Sequence, residues 1–387
     1  MRPASYSVVD YGRMITCEPR MSSYAKALSH AIFPGAYVID LGAGPGLFAL
    51  LACQMGAGHV TAIEPDASIE LARRAAAKNG FADRITFVRD LSTNHTPAEK
   101  ADIVVSDIRG VMPFFEHHIP TIRDTRARLL KPDGILIPGK DRIFAALVEA
   151  QKTHDKYRKP WLENDYGIDL SAGYGHVING WRRTYEQAEA LLTEAQLFAT
   201  LDYHMIEDTN HRAALRFAAA RPGTAHGILM WFETELAPGI GFSNAPGEPE
   251  QIYGQAFFPL EHPVPLAEGT VAEADISASY INGDYVWSWS FRATDTQGRA
   301  HTYRQSSFKS AILAHETLAP RAATFRPPAR KEVEVDVACL GMFDGQTPLS
   351  EIAQRLSDRF PDRFRDTSSA FDHIAGLSAR YNRGKIS

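Results

Sequence analysis

The stretch that constrains this chain most runs from Val38 to Asp66, with the sequence VIDLGAGPGLFALLACQMGAGHVTAIEPD. It opens with a short, largely apolar run, as expected for a strand buried on both faces. Gly42, Gly44 and Gly46 follow, and behind them comes a run of helix formers that two further glycines end. A second apolar run then leads to Glu64. This order predicts a strand, a glycine loop, a helix and a second strand of an open α/β sheet.

Each part of this stretch suits a nucleotide-type ligand. Glycines let the backbone come close to a ligand, and the helix N-terminus behind them favours negative charge. A carboxylate about 20 residues on, here Glu64, can accept hydrogen bonds from both ribose hydroxyls. The loop is GxGxG with Asp40 before it, which resembles the S-adenosylmethionine (SAM) site of class I methyltransferases more than a dinucleotide site. The alternative is a structural strand–helix turn.

Composition argues against several other classes of protein. The formal net charge of −5 provides no basic field for nucleic acid. No run approaches 18 apolar residues, so no membrane span is expected, and the N-terminus lacks the apolar segment of a secretory signal. Cys17, Cys53 and Cys339 are far apart and lack metal-ligand spacing, which predicts reduced thiols in a cytoplasmic compartment and no metal site.

The 387 residues leave room for two or three domains. An amphipathic helix is predicted over 19–32, and strand–helix alternation then continues to about residue 143, which predicts a doubly wound sheet. From about 197 to 309 the runs are short, β-rich and interrupted by glycine and proline, as in an antiparallel sheet or barrel. The predicted domains are therefore 1–143, 144–330 and a small helical unit at 331–387.

Several motifs, taken in order, resemble those of the protein arginine methyltransferases. Besides VIDLGAGPG and IEPD, they are SDIRGVMPFFE (106–116), LLKPDGILIP (129–138), WLENDYGIDLS (161–171) and FSNAP (242–246). The resemblance extends from about Tyr11 to about Pro327. It implies a Rossmann-type methyltransferase domain, then an antiparallel β-barrel with a helical arm at about 172–195 that forms a homodimer. It also implies SAM as methyl donor and a guanidino nitrogen as acceptor.

The same resemblance assigns the candidate site residues. Asp107 and Glu116 match the two carboxylates of the family's double-E loop and are the predicted catalytic pair; the alternative is that they cap the next helix. Such a pair offsets the repulsion between guanidinium and sulfonium, and a bidentate grip aligns one nitrogen with the methyl group. Arg20 matches the arginine that binds the SAM carboxylate. The other predicted cofactor contacts are Asp40, Gly42, Gly44, Gly46, Glu64, Ser92 and Thr93.

Three positions depart from the family pattern. Asp107 stands where the family usually has glutamate, which is longer by one methylene. The THW loop is replaced by Gln-Ile-Tyr at 251–253, and the aspartate that pairs with its histidine is replaced by Cys17, so both partners are missing together. Arg109 occupies a position that is often apolar, and we interpret it as a cation at the site mouth for a substrate α-carboxylate. The predicted substrate contacts are Tyr24, Arg109 and Tyr253.

These observations predict a SAM-dependent arginine N-methyltransferase that acts on free arginine or on a peptidyl arginine in a natural-product pathway. One alternative is a protein arginine N-methyltransferase acting on cellular proteins, and another is an inactive SAM- or peptide-binding scaffold. Whether the product is mono- or dimethylated stays open. The unit at 331–387 resembles small winged-helix or PqqD-like modules, and could be a packing appendage or a binder of leader peptides.

Overall fold

The computed structural model describes residues 6–328, 330 and 332–381. The outer ends of the first and last predicted domains, 1–5 and 382–387, therefore lie outside the described residues, as do positions 329 and 331 within the predicted linker and C-terminal unit. The chain divides into two compact units, Met1–Ile312 and Leu313–Ser387. The first two predicted domains thus share one unit, and its boundary falls earlier in the chain than residue 330.

The first unit begins with two helices, which precede a parallel sheet of five strands in the order β3-β2-β1-β4-β5, and three more helices connect these strands. The helices are α1 (Val8–Thr16), α2 (Glu18–Ala31), α3 (Leu47–Gln54), α4 (Ile69–Asn79) and α5 (His118–Arg128). The strands are β1 (Tyr37–Leu41), β2 (His59–Ile63), β3 (Ile85–Val88), β4 (Ala101–Ser106) and β5 (Leu130–Ile137). The doubly wound sheet and the helix predicted over 19–32 are confirmed.

Strand order places the ligand-binding edge of this sheet. The chain passes from β1 outward to β3 and then returns to the other side of β1 with β4. In open parallel sheets, a ligand crevice forms outside the carboxyl ends of the strands at such a switch point. The glycine loop after β1 and the residues after β4 therefore meet at the same edge.

The rest of the first unit is antiparallel, as predicted. One sheet has the order β7-β12-β10-β6-β8, with β11 beside β10, and the other has the order β15-β14-β13-β9. The strands are β6 (Lys140–Val148), β7 (Arg182–Thr184), β8 (Gln196–Asp202), β9 (His211–Ala218), β10 (Gly223–Ala237), β11 (Ile240–Ser243), β12 (Gln255–Leu266), β13 (Val271–Ile281), β14 (Asp284–Thr294) and β15 (Ala300–Ser306). One apolar core joins both sheets to the α5 side of the parallel sheet.

A segment with exposed apolar side chains runs from the end of α6 (Gln151–Leu162) toward α7 (Tyr174–Ile178). Tyr166 is 82% exposed and Ile168 is 61% exposed. The predicted arm at about 172–195 starts after these residues, and part of it belongs to the antiparallel domain, because β7 pairs with β12 and Leu192 is fully buried. The most exposed apolar stretch of this region is therefore 161–170.

The second unit is helical in its described residues. It contains α8 (His315–Leu318), α9 (Glu332–Leu340), α10 (Leu349–Arg359) and α11 (Thr367–Tyr381). Residues such as Cys339, Leu356 and Ile374 form its own apolar core. Between 332 and 381 the structure has helices and no strand, which agrees with the small helical unit predicted there.

The described part of the chain has no disulfide, no helix able to span a membrane and no candidate metal cluster. Cys17, Cys53 and Cys339 are free thiols. In residues 6–328, 330 and 332–381, each helix is too short or too polar to span a bilayer. Within the same ranges, no cluster of three or more His, Cys, Asp or Glu side chains is arranged to hold a metal ion.

Candidate active site

The glycine loop after β1 is tightly enclosed. Gly44 has φ +50°, and a Cβ placed there would lie 2.8 Å from Cε1 of the Tyr11 ring. Gly46 has φ +81°, and a Cβ there would lie 2.5 Å from the Cβ of Ala72. Both the left-handed backbone and the available space therefore require glycine. The loop forms a backbone-lined cradle, which fits the predicted cofactor contacts.

Two carboxylates support this cradle. Glu64 accepts hydrogen bonds from the backbone N–H groups of Gly44 and Asp66, each at 2.9 Å. Asp40 accepts one from the N–H of Ala49 at 2.9 Å, while burial raises the pKa of its carboxyl to about 7. The other oxygen of Asp40 is buried and has no hydrogen-bond partner among the described residues. A free acceptor beneath a glycine cradle fits a polar ligand such as SAM.

Helix α1 covers the glycine loop and was not predicted from the sequence. Its Tyr11 packs on Gly44 and donates a hydrogen bond to the Ser68 hydroxyl at 3.1 Å. The helix starts with a reciprocal capping box between Ser7 and Asp10. That spacing was the signal available in the sequence.

The two other predicted cofactor contacts lie after β3. Ser92 and Thr93 belong to the short helical turn Ser92–Asn94. Ser92 is buried and its carbonyl accepts a hydrogen bond from Arg128 at 2.9 Å, whereas Thr93 is exposed. Their role as adenine contacts stays a prediction.

We expect Gly44→Ala to weaken binding of S-adenosylhomocysteine at least tenfold, because the new methyl group would force Tyr11 away from the loop and strain the backbone. Isothermal titration calorimetry measures this. Gly12→Ala is the matched control, since Gly12 lies in α1 with nothing within 4 Å of the added Cβ. Equal affinities of the two variants would contradict the assignment of the cradle.

The loop between β4 and α5 carries the two predicted catalytic carboxylates. Asp107 directly follows β4, and Glu116 lies near the start of α5 with φ +39°, a left-handed conformation that is uncommon for a non-glycine residue. His117 holds this end of the loop, because its Nδ1 forms a 2.6 Å hydrogen bond with the hydroxyl of Tyr280. Burial and then the negative charge of Asp284 raise the pKa of Glu116.

Asp107 is surrounded by internal donors. Its Oδ2 accepts hydrogen bonds from Arg20 Nε at 2.5 Å and from the Tyr253 hydroxyl at 2.6 Å, and its Oδ1 lies 3.4 Å from Arg109 Nε. Burial raises the pKa of Asp107, but the charges of Arg20 and Arg109 and the hydrogen bond from Tyr253 outweigh it, so the pKa lies below its usual range. Asp107 is therefore ionised.

The structure corrects the predicted position of Arg109. Its side chain has no exposed surface. Its guanidinium donates to Asp141 at 2.8 Å, to the Thr234 hydroxyl at 2.6 Å and to the Tyr24 hydroxyl at 2.6 Å. The ring of Phe232 lies 5.1 Å from its guanidino carbon. A substrate α-carboxylate cannot reach a cation that is enclosed and already paired, so Arg109 does not stand at the mouth of the site.

The sequence reasoning missed the buried network behind Arg109. The Tyr203 hydroxyl donates to Asp141 at 2.5 Å and lies 2.9 Å from Nε2 of His118. Burial, followed by the charge of Arg109, lowers the pKa of His118 to about 3, so the ring is neutral. Since the Tyr203 proton is directed to Asp141, His118 must donate from Nε2. Its Nδ1 then has no described partner.

Tyr24 and Tyr253, both predicted substrate contacts, are buried beside Asp107. Tyr253 is 5% exposed and its hydroxyl also accepts a 3.1 Å hydrogen bond from Arg20. Tyr24 is fully buried and donates to the carbonyl of Ser106 at 2.9 Å. The structure thus brings Arg20, Tyr24, Asp107, Arg109 and Tyr253 into one cluster.

Glu116 lies at the other end of the loop, and Tyr6 connects the two carboxylates electrostatically. Burial raises the pKa of the Tyr6 phenol, and the negative charges of Asp107 and Glu116 raise it further. Both carboxylates therefore lie within electrostatic range of Tyr6.

The chain is similar to known methyltransferases along most of its length. A family model described as the arginine methyltransferase oligomerization subdomain matches residues 140–294, and one described as ribosomal protein L11 methyltransferase matches residues 23–140. The arginine N(omega)-methyltransferase of Streptomyces achromogenes subsp. streptozoticus is 30% identical over 267 residues, which cover 66% of this chain and 72% of that protein. The protein arginine N-methyltransferase 8-B of Danio rerio is 25% identical over 264 residues, which cover 66% and 63%.

The fold is shared with solved structures. The PRMT1 enzyme–prozyme heterotetrameric complex of Trypanosoma brucei with AdoHcy matches with a TM-score of 0.70 at 19% identity. The match covers 76% of this chain and 97% of that chain. The parallel and antiparallel parts of the first unit therefore follow a known arrangement.

Proposed function

This chain belongs to the protein arginine methyltransferase family, and on that premise we propose that it transfers a methyl group from SAM to a guanidino nitrogen of arginine. The observation that carries the proposal is the loop after β4, which has Asp107 at one end and Glu116 at the other and meets the glycine loop at the same sheet edge, where Ile108 contacts Gly42. A carboxyl group at each end of one loop suits a planar cation with donors on several sides.

The chain's own residues would prepare this reaction. SAM supplies an electrophilic methyl group on a sulfonium. The substrate guanidinium, with a pKa above 12, is a second cation, and two such charges at 4 Å repel by about 4 kcal/mol at an intermediate effective dielectric. Asp107 and Glu116 offset this repulsion. Glu116 would also take the proton that the guanidinium releases, because its raised pKa makes it the stronger base of the two.

We propose free arginine, or an arginine in a dedicated peptide of a natural-product pathway, as the acceptor. The loop at 251–253 supports this, since it lacks the family's THW pattern and turns Tyr253 inward onto Asp107. The similar Streptomyces protein is likewise named for arginine itself. We also infer a homodimer through the exposed stretch 161–170, which a monomeric molar mass in light scattering would contradict.

Mass spectrometry after incubation with SAM tests this function. We expect the purified protein to add a methyl group to free L-arginine in preference to an arginine- and glycine-rich peptide. A gain on the peptide alone would instead support action on cellular proteins. Binding of SAM without transfer to either acceptor would support the scaffold alternative, which the internal donors saturating Asp107 favour.

A further inference from the structure

We propose that Arg183 forms a carboxylate-binding subsite at the edge of the active site, so that the enzyme selects arginine with a free α-carboxylate. This inference rests on the proposed function and deepens it. It assigns to Arg183 the part that the sequence had suggested for Arg109, which the fold encloses.

Contacts with residues 252–254 connect Arg183 to Asp107. Arg183 is the central residue of β7, opposite Ala256 in β12. Its Nη1 donates to the carbonyl of Ile252 at 3.1 Å, and its stem lies over the next turn, because a Cβ on Gly254 would come within 2.9 Å of the Arg183 Cγ. The residue between these two contacts is Tyr253, whose hydroxyl lies 2.6 Å from Asp107.

Arg183 and the two carboxylates lie within electrostatic range of one residue, Tyr6. The Tyr6 phenol senses the negative charges of Asp107 and Glu116 and, with opposite sign, the positive charge of Arg183. A guanidino group between Asp107 and Glu116 and a carboxylate beside Arg183 would therefore meet complementary charges at opposite ends of one molecule. Free arginine has this distribution of charge, whereas an arginine within a protein lacks the carboxylate.

Most N–H donors of the Arg183 guanidinium have no partner within the described residues. It is exposed, and within the described ranges it makes no ion pair, so the hydrogen bond to Ile252 uses one of its five N–H donors. On α1, Asp10 accepts hydrogen bonds from the N–H and hydroxyl of Ser7, which lower its pKa, and the charge of Arg183 contributes less. By contrast, Arg20 and Arg109 are buried against Asp107 and Asp141. Arg183 is thus the arginine of this region that can offer a bidentate fork to a ligand.

The test compares two acceptors on three enzymes. L-arginine and agmatine, which is arginine without its carboxylate, are offered with saturating SAM to the wild type, Arg183→Gln and Arg182→Gln. We expect the wild type to prefer arginine at least tenfold in kcat/KM, and Arg183→Gln to raise KM for arginine 10- to 100-fold while leaving agmatine unchanged. Arg182→Gln is the matched control, since the neighbouring Arg182 bonds to its own Trp181 carbonyl and stacks on Tyr157.

Four results would overturn the inference. If the wild type methylates arginine and agmatine equally well, or if Arg183→Gln slows both acceptors alike, the subsite is absent although guanidine methylation stands. If Arg182→Gln reproduces the effect, general loss of positive charge explains it. If no guanidine is methylated while S-adenosylhomocysteine still binds, the proposed function itself fails, and the subsite with it.

Discussion

Glu116→Gln is expected to lower kcat by 10²–10⁴-fold and to leave S-adenosylhomocysteine binding unchanged. The amide keeps the size of the side chain, but it neither offsets the guanidinium charge nor accepts its proton. Glu116 has no ion pair within the described residues, so its loss strands no internal cation and the fold should be preserved. Single-turnover methylation with mass spectrometry measures the rate, and calorimetry measures the affinity.

The pH profile provides the control for this prediction. Activity requires ionised Glu116, so it is lost as pH falls through the pKa of that group, which burial and Asp284 have raised. Asp284→Asn removes the second cause, and the loss of activity should therefore move to lower pH. Two results would contradict the role of Glu116 as the group that accepts the guanidinium proton. One is a Glu116→Gln variant that retains more than a tenth of the rate, and the other is an Asp284→Asn pH profile that does not move.

Asp107 is less suitable for this test, since its carboxylate is proposed to bind the substrate and also compensates the charges of two buried arginines. It contacts both Arg20 and Arg109 in a buried cluster. Asp107→Asn would leave these two cations with less compensation, so loss of activity and loss of stability would occur together.

Arg109→Met is expected to destabilise the first unit by about 3–5 kcal/mol, because it leaves the Asp141 carboxylate buried without its cation. Replacing both partners, in Arg109→Met/Asp141→Asn, should recover a large part of this loss. The coupling energy follows from the four free energies of unfolding. Urea unfolding followed by tryptophan fluorescence reports on this unit specifically, since all five tryptophans precede residue 312.

A coupling energy near zero would contradict the importance of this ion pair. Arg142→Met/Glu233→Gln is the comparison cycle, because Arg142 and Glu233 also form an ion pair at 2.8 Å, here between β6 and β10, but lie at the surface. An exposed pair of this kind is worth at most about 1 kcal/mol. The coupling energy of Arg109 and Asp141 should clearly exceed that of Arg142 and Glu233.

Local patterns made much of the fold predictable. The strand, glycine loop and helix around Gly44 depend on neighbouring residues, so apolar runs and glycines located them well. The missed helix α1 is also local, and its Ser7–Asp10 capping box was visible in the sequence. The exposed side chains of Tyr166 and Ile168 lie just before the predicted arm, and their exposure could not be read from their residue types.

The site itself depends on distant partners, and here the sequence was a weaker guide. Asp107 meets Arg20 and Tyr253 across 87 and 146 positions of the chain. Nothing in the type of Arg109 distinguishes a cation at a site mouth from one sealed in a core. The available signal was Asp141. It lies on the same inward face of β6 as Ile143 and Ala145, so its buried carboxylate required a counter-charge.

The apolar core that runs from the parallel sheet into both antiparallel sheets limits the modularity of this protein. Phe114, on the loop between β4 and α5, packs against Phe198 and Trp287 with ring centroids 6.0 and 5.8 Å apart. Met112, Ile119 and Ile122 belong to the same core. Cutting the chain near residue 143 would expose this face to water and leave the loop without its support. The parallel-sheet part is therefore not a module that can be exchanged between proteins. New substrate specificity has to arise by substitutions that keep the parallel and antiparallel parts together.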